Sequence, residues 1–226
     1  MTADPTIMAQ RRQRVRDGLS RRLGSVVAVA EAVHRRHNVS AIIRSAEGFG
    51  VHEVHLVTGG FHPSKGAARG AERWVELVRH DSTQACAATL RERGFRLVVA
   101  DLVDGGWTPD DVPVDRPLAV LFGAEMAGVS EEARALADGA ICVPMTGLTG
   151  SLNVAAAAAC ILYRVTQRRR EWLDQHDLPR DDLPEATQQA FYDRWLAEDE
   201  QARLGMVART MLGDDAAPPP EPDSGA

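Results

Sequence analysis

The chain has 226 residues, 44% of them hydrophobic and 26% charged, the composition of one soluble domain of ordinary size with appendages. Its first residues hold no apolar h-region, and its longest apolar run, 154–163, is ten residues with five alanines; this excludes a secretory leader and a bilayer span and makes the cytoplasm the expected compartment. The net charge of −6 argues against nucleic acid only as an average, because residues 171–226 hold 14 acids against 4 arginines (−10) and residues 1–170 hold 22 bases against 18 acids (+4).

The first predicted element is a helix over 7–23, with Ile7, Met8, Val15, Leu19 and Leu23 apolar and Arg11, Arg12, Arg14, Arg16, Arg21 and Arg22 filling the other positions. A basic body with an acidic tail often accompanies phosphate binding. The arginine bias (Lys65 is the only lysine) suits bidentate phosphate contacts, although genome-wide base composition accounts for it equally well. A short apolar strand follows at 25–30, a helix at 39–47, a strand at 53–58 and a Gly-rich loop through Arg69. A strand at 74–78 leads to a helix over 82–93 closed by Gly94, and then to a strand at 96–100. The Pro/Asp/Gly stretch 104–117 reads as a loop. A strand at 118–122, a helix at 131–137 capped by Ser130, a strand at 140–143 and a long helix over 152–173 complete the body. A shorter helix is expected at 183–200, and the acidic, proline-rich end is expected to be disordered. Strands alternating with helices give an α/β fold with a mainly parallel sheet and helices on both faces, its ligands at the carboxyl ends of the strands.

Three stretches can carry chemistry. In HNVSAIIRSAEGFG (37–50), Asn38 is placed as a helix N-cap and Gly48 or Gly50 as the terminator. Val39, Ile42, Ile43, Ala46 and Phe49 make one apolar face, with Arg44 opposite. Taken alone, Arg44 is a solvated arginine; functionally, it is a fixed cation beyond a strand end, able to meet a phosphate or a developing oxyanion. In LFGAEMAGVS (121–130), Glu125 lies between Gly123 and Gly128 at the mouth of a strand. The glycines have P-loop spacing, but Val129 and Ser130 stand where Lys-Ser/Thr is required, so the NTPase reading fails. In VPMTGLTGSLNV (143–154), Ser151 is expected to cap the long helix, with Asn153 in its first turn.

The absences narrow the choice. No GxGxxG follows a strand, and no Ser/His/Asp or Cys/His set points to acyl transfer. Cys86, Cys142 and Cys160 have no ligand spacing and read as reduced, buried thiols; the seven histidines show no HExxH. No metal site is expected.

Together and in this order, NVSAIIRSAEGFGVHEVHLV, LFGAEMAGVS and VPMTGLTGSLNVAAAAA resemble the three signature motifs of the SPOUT RNA 2′-O-methyltransferases, over residues 11–163 and more loosely to 195. The resemblance is closest to the TrmH group, which methylates guanosine 18 in the D-loop of tRNA. It implies an α/β fold with a deep C-terminal trefoil knot and a homodimer with each site at the subunit interface. It divides the chain into a basic helical extension (1–24), the methyltransferase domain (25–173), a C-terminal helical extension (174–212) and an acidic tail (213–226). It implies S-adenosyl-L-methionine as cofactor, held mostly by backbone groups of Ala100, Gly123, Val143, Met145 and Leu152. It places Arg44 at the ribose 2′-OH, with Asn38, Glu125, Ser151 and Asn153 lining the same pocket.

RNA contacts would fall to Arg14, Arg22, Arg91 and Arg169. A second arginine expected two residues before Arg169 is Gln167 here, while Arg168 and Arg170 are extra, so the anchoring of tRNA can differ from the group's. The competing readings are the same chemistry on ribosomal RNA or on the tRNA wobble position, and a non-catalytic RNA-binding protein that has kept the fold.

Overall fold

A computed structural model describes residues 5–57 and 70–212. Its centre is β1 (Leu23–Glu31), in which every residue from Ser25 to Glu31 is buried. A strand of valines and alanines without polar alternation has to be covered on both faces. Neighbouring it are β2 (Val51–Val57) and β5 (Leu118–Phe122); β3 (Glu76–His80), β4 (Arg96–Ala100) and β6 (Gly139–Ile141) extend the sheet. Among the described residues the order is β3-β2-β1-β5-β4-β6, with all pairs parallel.

Two helices cover each face. α2 (Arg36–Gly48) and α5 (Val154–Gln175) bury Ile42, Ile43, Ala158, Ile161 and Leu162 against Val26, Ala28, Val54, Val120 and Phe122. On the other face α3 (Thr83–Glu92) and α4 (Glu131–Leu136) bury Cys86, Leu90 and Ala133 against Val27, Val29, Val99 and Leu121. A third cluster joins α1 (Pro5–Leu19) to α6 (Glu185–Leu212) through Val15, Leu19, Phe191, Tyr192 and Trp195. No helix among the described residues is long and apolar enough to cross a membrane.

Several boundaries differ from the sequence reading. α1 stops at Leu19 rather than continuing to 23, and Leu23 opens β1 instead, its amide bonded to Gly50 O at 2.8 Å. Helix-compatible residues at 20–23 are captured by the sheet, a tertiary override of local propensity. Trp74 ends a single 3₁₀ turn (Ala71–Arg73), which delays β3 to Glu76. β6 closes at Ile141 because its pairing with β4 ends at Ala100. α6 runs well past the expected 200. Ser130 does cap α4, its Oγ accepting from the Ala133 amide at 3.0 Å. The predicted Gly-rich loop up to Arg69 and the acidic tail 213–226 lie outside the described residues.

The cysteines are all free but not all interior: Cys86 is buried, Cys142 half-buried and Cys160 exposed. Cys160 follows the alanine run on α5, and its side faces away from the sheet. Burial, with the nearby Glu31 charge, pushes the Cys86 thiol up to about 12.

Candidate active site

The chain runs from β1 to β2 and β3 on one side, then crosses to β4 and β5 on the other, so the order reverses between β1 and β5. Crevices open beyond the carboxyl ends of strands at such a reversal. α2 leaves β1 there, the Glu125 loop leaves β5 there, and the start of α5 packs beside both.

The sequence places Asn38 at the cap of α2, but the helix begins earlier. Arg35 is the N-cap and makes no side-chain cap bond, which puts Asn38 in the first turn, 2% exposed. Its carboxamide is thereby free to act across the crevice. Asn38 Nδ2 donates to Glu125 Oε1 at 2.6 Å, and Asn153 Nδ2 donates to Asn38 Oδ1 at 3.2 Å. Asn153, rather than Ser151, is the N-cap of α5, its Oδ1 accepting from the amides of Ala155 and Ala156 at 2.9 and 3.3 Å. The orientations follow from the donor count. An ionised carboxylate only accepts, so Asn38 must turn its NH₂ to Glu125; Asn153, its oxygen taken by two amides, has only its NH₂ for Asn38. Ser151 lies two residues ahead, exposed, on the pocket wall.

The loop carrying Glu125 is pinned at both ends. Ala124 and Gly128 exchange backbone bonds of 2.9 Å in each direction. A Cβ at position 123 would run into the Gly128 carbonyl and the Val129 amide, and Gly128 itself sits at φ +69°. Beyond the loop, buried Glu31 accepts from Ser130 N at 3.0 Å, Ser130 Oγ at 2.7 Å and Thr83 Oγ1 at 2.5 Å. Sequence reasoning misses this fastening, because a glutamate closing a strand carries no signal of what it will hold. Partial burial pushes Glu125 upward, but hydrogen bonds from Asn38 and from the backbone at Glu125 and Arg35, with the Arg35 charge, hold its carboxyl below the usual value.

Next to this chain of side chains is a pocket formed by the ends of β4, β5 and β6 and the first turns of α5. Ala100, Gly123, Val143, Met145 and Leu152, the five positions expected at a cofactor, all line it, as do Glu125 and Ser151. Phe122, Ile141 and Ile161 make its floor apolar, and the loop backbone supplies polar groups at its rim. Asp101, also on the wall, is engaged by Arg134 Nε at 2.6 Å and by the Leu102 amide at 2.9 Å. Such a cleft suits a flat heteroaromatic group held by main-chain bonds, with one carboxylate at its edge. Asp101, Leu102, Ala157 and Ile161 lie outside the sequence expectation; only their position at strand and helix ends could have found them.

The expected basic residues divide. Arg44 is exposed on α2 and makes no hydrogen bond or ion pair among the described residues. It follows Asn38 by six residues, about 9 Å along the helix and on another face, and is not on the wall of its own chain's pocket. Arg14 is exposed, likewise without a partner among the described residues, and lines a groove of about 680 Å³ with Arg11, Arg21 and Gln10. Arg91 is exposed and donates to Leu136 O at 2.5 Å.

Arg22 and Arg169, expected at phosphates, are each only 6% exposed. Arg22 bonds Val51 O at 3.0 Å and Glu47 at 2.9 Å. Arg169 bonds Ser25 Oγ at 2.9 Å and Val114 O at 2.8 Å, with Asp182 at 3.7 Å. Burial lowers both guanidinium pKa values, opposed by these acids. Their donors are used inside the chain, where both fasten helices and turns to the sheet.

Comparison with known proteins supplies a family and relatives. The model of the SpoU rRNA Methylase family matches residues 25–163. A tRNA (guanosine(18)-2′-O)-methyltransferase of Thermus thermophilus is 43% identical over 188 residues, 82% of this chain and 95% of that protein. The crystal structure of a TrmH/SpoU tRNA modifying enzyme of A. aeolicus superposes with a TM-score of 0.76 at 30% identity, over 85% of this chain and 98% of that one. The SpoU methyltransferase AviRb of Streptomyces viridochromogenes, solved in complex with the cofactor AdoMet, gives a TM-score of 0.57 at 27% identity over 63% of this chain and 57% of that one.

Proposed function

Since the chain belongs to the SpoU rRNA Methylase family, we propose that it is an S-adenosylmethionine-dependent tRNA 2′-O-methyltransferase acting on guanosine 18. The observation that carries this reading is the Asn38–Glu125–Asn153 hydrogen-bonded set at the edge of a pocket whose wall holds every expected cofactor position. The relative of known name with 43% identity supports the choice of nucleotide, and the neighbour solved with AdoMet supports the cofactor.

The apolar floor and main-chain rim would hold the adenosyl group, and Gly123 keeps the wall flat where a side chain would force the loop open. Bound there, S-adenosylmethionine supplies an electrophilic methyl on a sulfonium. Glu125 places a negative charge near the cation, fixed by Asn38. When the ribose oxygen takes the methyl, the carbon–sulfur bond would break to leave a neutral thioether, and the hydroxyl proton would pass to water. Arg44 is the group assigned to that oxygen, stabilising the developing alkoxide rather than removing the proton, since a guanidinium offers donors and no acceptor. A preorganised donor of this kind is worth about 3 kcal/mol.

Arg44 is absent from its own chain's pocket, so the complete site requires a second copy, with the guanidinium of one subunit reaching the pocket of the other. Exposed Leu152 on the pocket wall and exposed Met126 and Leu148 in the loops that build it are apolar side chains suited to that contact. The reading includes a knotted path through the segments after β4, β5 and β6, a cytoplasmic location, a methyltransferase domain at 25–173, and flanking extensions at 1–24 and 174–212 that present Arg14 and its groove to RNA.

The test uses the purified chain with methyl-labelled cofactor and two tRNA transcripts, one with guanosine 18 and one with adenosine there. Label should enter the first only, and ribose-methylation mapping should locate it at nucleotide 18. Label entering only ribosomal RNA, or only the wobble nucleotide, would replace the substrate; no label in any RNA would leave a binding protein. Arg44→Lys should lower turnover by about a hundredfold without changing the melting temperature, because the residue is exposed and unpartnered among the described residues.

A further inference from the structure

We propose that the chain holds a zinc ion between His55, His80 and Cys86, on the sheet face opposite α2 and α5. The three residues come from three elements: His55 from β2, His80 from the end of β3 and Cys86 from α3. Their ligand atoms all lie within 4.8 Å of one another. His55 Nδ1 is 2.8 Å from His80 Nε2 and 4.0 Å from Cys86 Sγ. With Zn–N near 2.0 Å and Zn–S near 2.3 Å, the edges of a tetrahedral site are about 3.4 Å. The N–N separation has to open and the His55–Cys86 separation to close, each by well under about 1 Å, while the His80–Cys86 pair, within 4.8 Å, has to close to the same edge.

Neighbouring side chains prepare the site. His55 Nε2 lies 3.2 Å from Glu53 Oε2, and Glu53 is gripped from outside by Arg93 through bonds of 2.7 and 3.0 Å. A carboxylate paired to arginine only accepts, so His55 Nε2 donates to it and the ring is held with Nδ1 facing His80 and Cys86. Carboxylate–imidazole pairs of this kind orient and tune metal-binding histidines. The register of the strands adds to this. His55 stands opposite Val78 and His80 opposite Val57, so the two imidazoles are diagonal neighbours on one face. Their planes differ by only 7° with centroids 5.0 Å apart, and at 2.8 Å between nitrogens one ring donates to the other, so an entering ion takes the place of the shared proton as the rings turn toward Cys86.

Two imidazoles and a thiolate select zinc over magnesium or calcium, which take oxygen ligands. His55 is fully buried while His80 is half-buried on the edge strand. That edge gives the ion an entry path and leaves a fourth position for water. Coordination requires Cys86 as thiolate, so its thiol proton passes to solvent as the Zn–S bond forms. The ion would tie β2 and the edge strand β3 to α3. The sequence reading expects no metal, and the reason is plain: positions 55, 80 and 86 form no ligand motif until the strands pair.

Chelator-treated full-length protein titrated with Co²⁺ should develop d–d bands and a near-ultraviolet thiolate charge-transfer band, both lost on adding one equivalent of Zn²⁺. Cys86→Ser should abolish the thiolate band, and His80→Gln should weaken Co²⁺ binding at least about tenfold; Cys160→Ser should change neither. Zn²⁺ should also raise the melting temperature of the parent protein and not that of His80→Gln. His80→Gln changes a half-buried edge residue, so it decides the matter if Cys86→Ser does not fold. Absence of a thiolate band in the parent protein, or its persistence in Cys86→Ser, would overturn the proposal. These readouts involve no methyl transfer, so they stand or fall separately from the enzymatic reading.

Discussion

Asparagine is a poor helix former, yet Asn38 and Asn153 sit at the starts of the two helices that flank the crevice. The second serves as a cap and at the same time reaches Asn38, which in turn holds Glu125. Asn153→Ala therefore removes a cap worth about 1 kcal/mol and also releases the carboxamide that orients Glu125. Denaturation should show the modest loss of stability, while cofactor affinity by calorimetry should fall further than that loss explains. Glu125 gives a pH prediction. Its carboxyl is held below its ordinary value of 4.5. The contribution of its ionised form to stability is therefore present above that value and lost as pH falls below it. The gap in melting temperature between the parent protein and Glu125→Gln should be constant near neutrality and close on acidification below about pH 4.5; a gap independent of pH would mean that the Asn38 bond contributes nothing.

At the scale of elements, α5 is fastened by a row of arginines that the sequence presents as a basic stripe. Arg168 donates to Val112 O at 2.6 Å, Arg169 to Ser25 and Val114, and Arg170 to Asp181 at 2.8 Å and to Phe49 O and Arg21 O at 3.2 Å each. Gly50, at φ +82°, leaves the space that the Arg170 guanidinium occupies. A buried cation with its partners is costly to remove, since the acceptors are left unsatisfied. Arg169→Ala should cost about 3 kcal/mol in urea unfolding and leave the salt slope of tRNA binding unchanged in whatever protein remains folded. Arg14→Ala should do the reverse, with unchanged stability and a salt slope flatter by about one. An Arg14 variant with the parent slope would remove it from the RNA surface.

For the whole molecule, part of the charge asymmetry cancels inside the fold. Arg11 pairs with Asp199 at 2.9 Å and stacks on Trp195, Arg12 meets Glu200 at 3.4 Å, and Arg16 lies over Tyr192 at 3.9 Å. The acidic α6 is thus a partner for the basic α1, and of that arginine cluster the Arg14 side chain stays unengaged among the described residues while the Arg21 side chain bonds the nearby Asp17 O. A second consequence concerns assembly. Leu148 and Met126 are almost fully exposed, at 107% and 95%, a placement that favours a partner surface. On the proposed two-copy site, the parent protein should sediment as a dimer, and Leu148→Asp should sediment as a monomer and lose methyl transfer together, with far-UV dichroism unchanged. A variant that stays dimeric would move the interface elsewhere.

The sequence by itself determined the α/β class, the order of strands and helices, and part of the pocket wall. Strands covered on both faces read as unbroken apolar runs, as at 25–30, and main-chain ligand sites fall at strand ends whatever the side chains. The starts of α2 and α5 are misread from sequence because every polar residue near a helix start looks like a cap, and only packing decides which side chain has another partner. Nor could the chain order reveal that Arg22 and Arg169 turn inward while Arg14 stays out, since an arginine's role depends on whether an acceptor waits within the length of its side chain. Contacts between positions such as 31 and 130, 38 and 153, or 55 and 80 exist only once strands far apart in sequence become neighbours, and that juxtaposition belongs to tertiary structure alone.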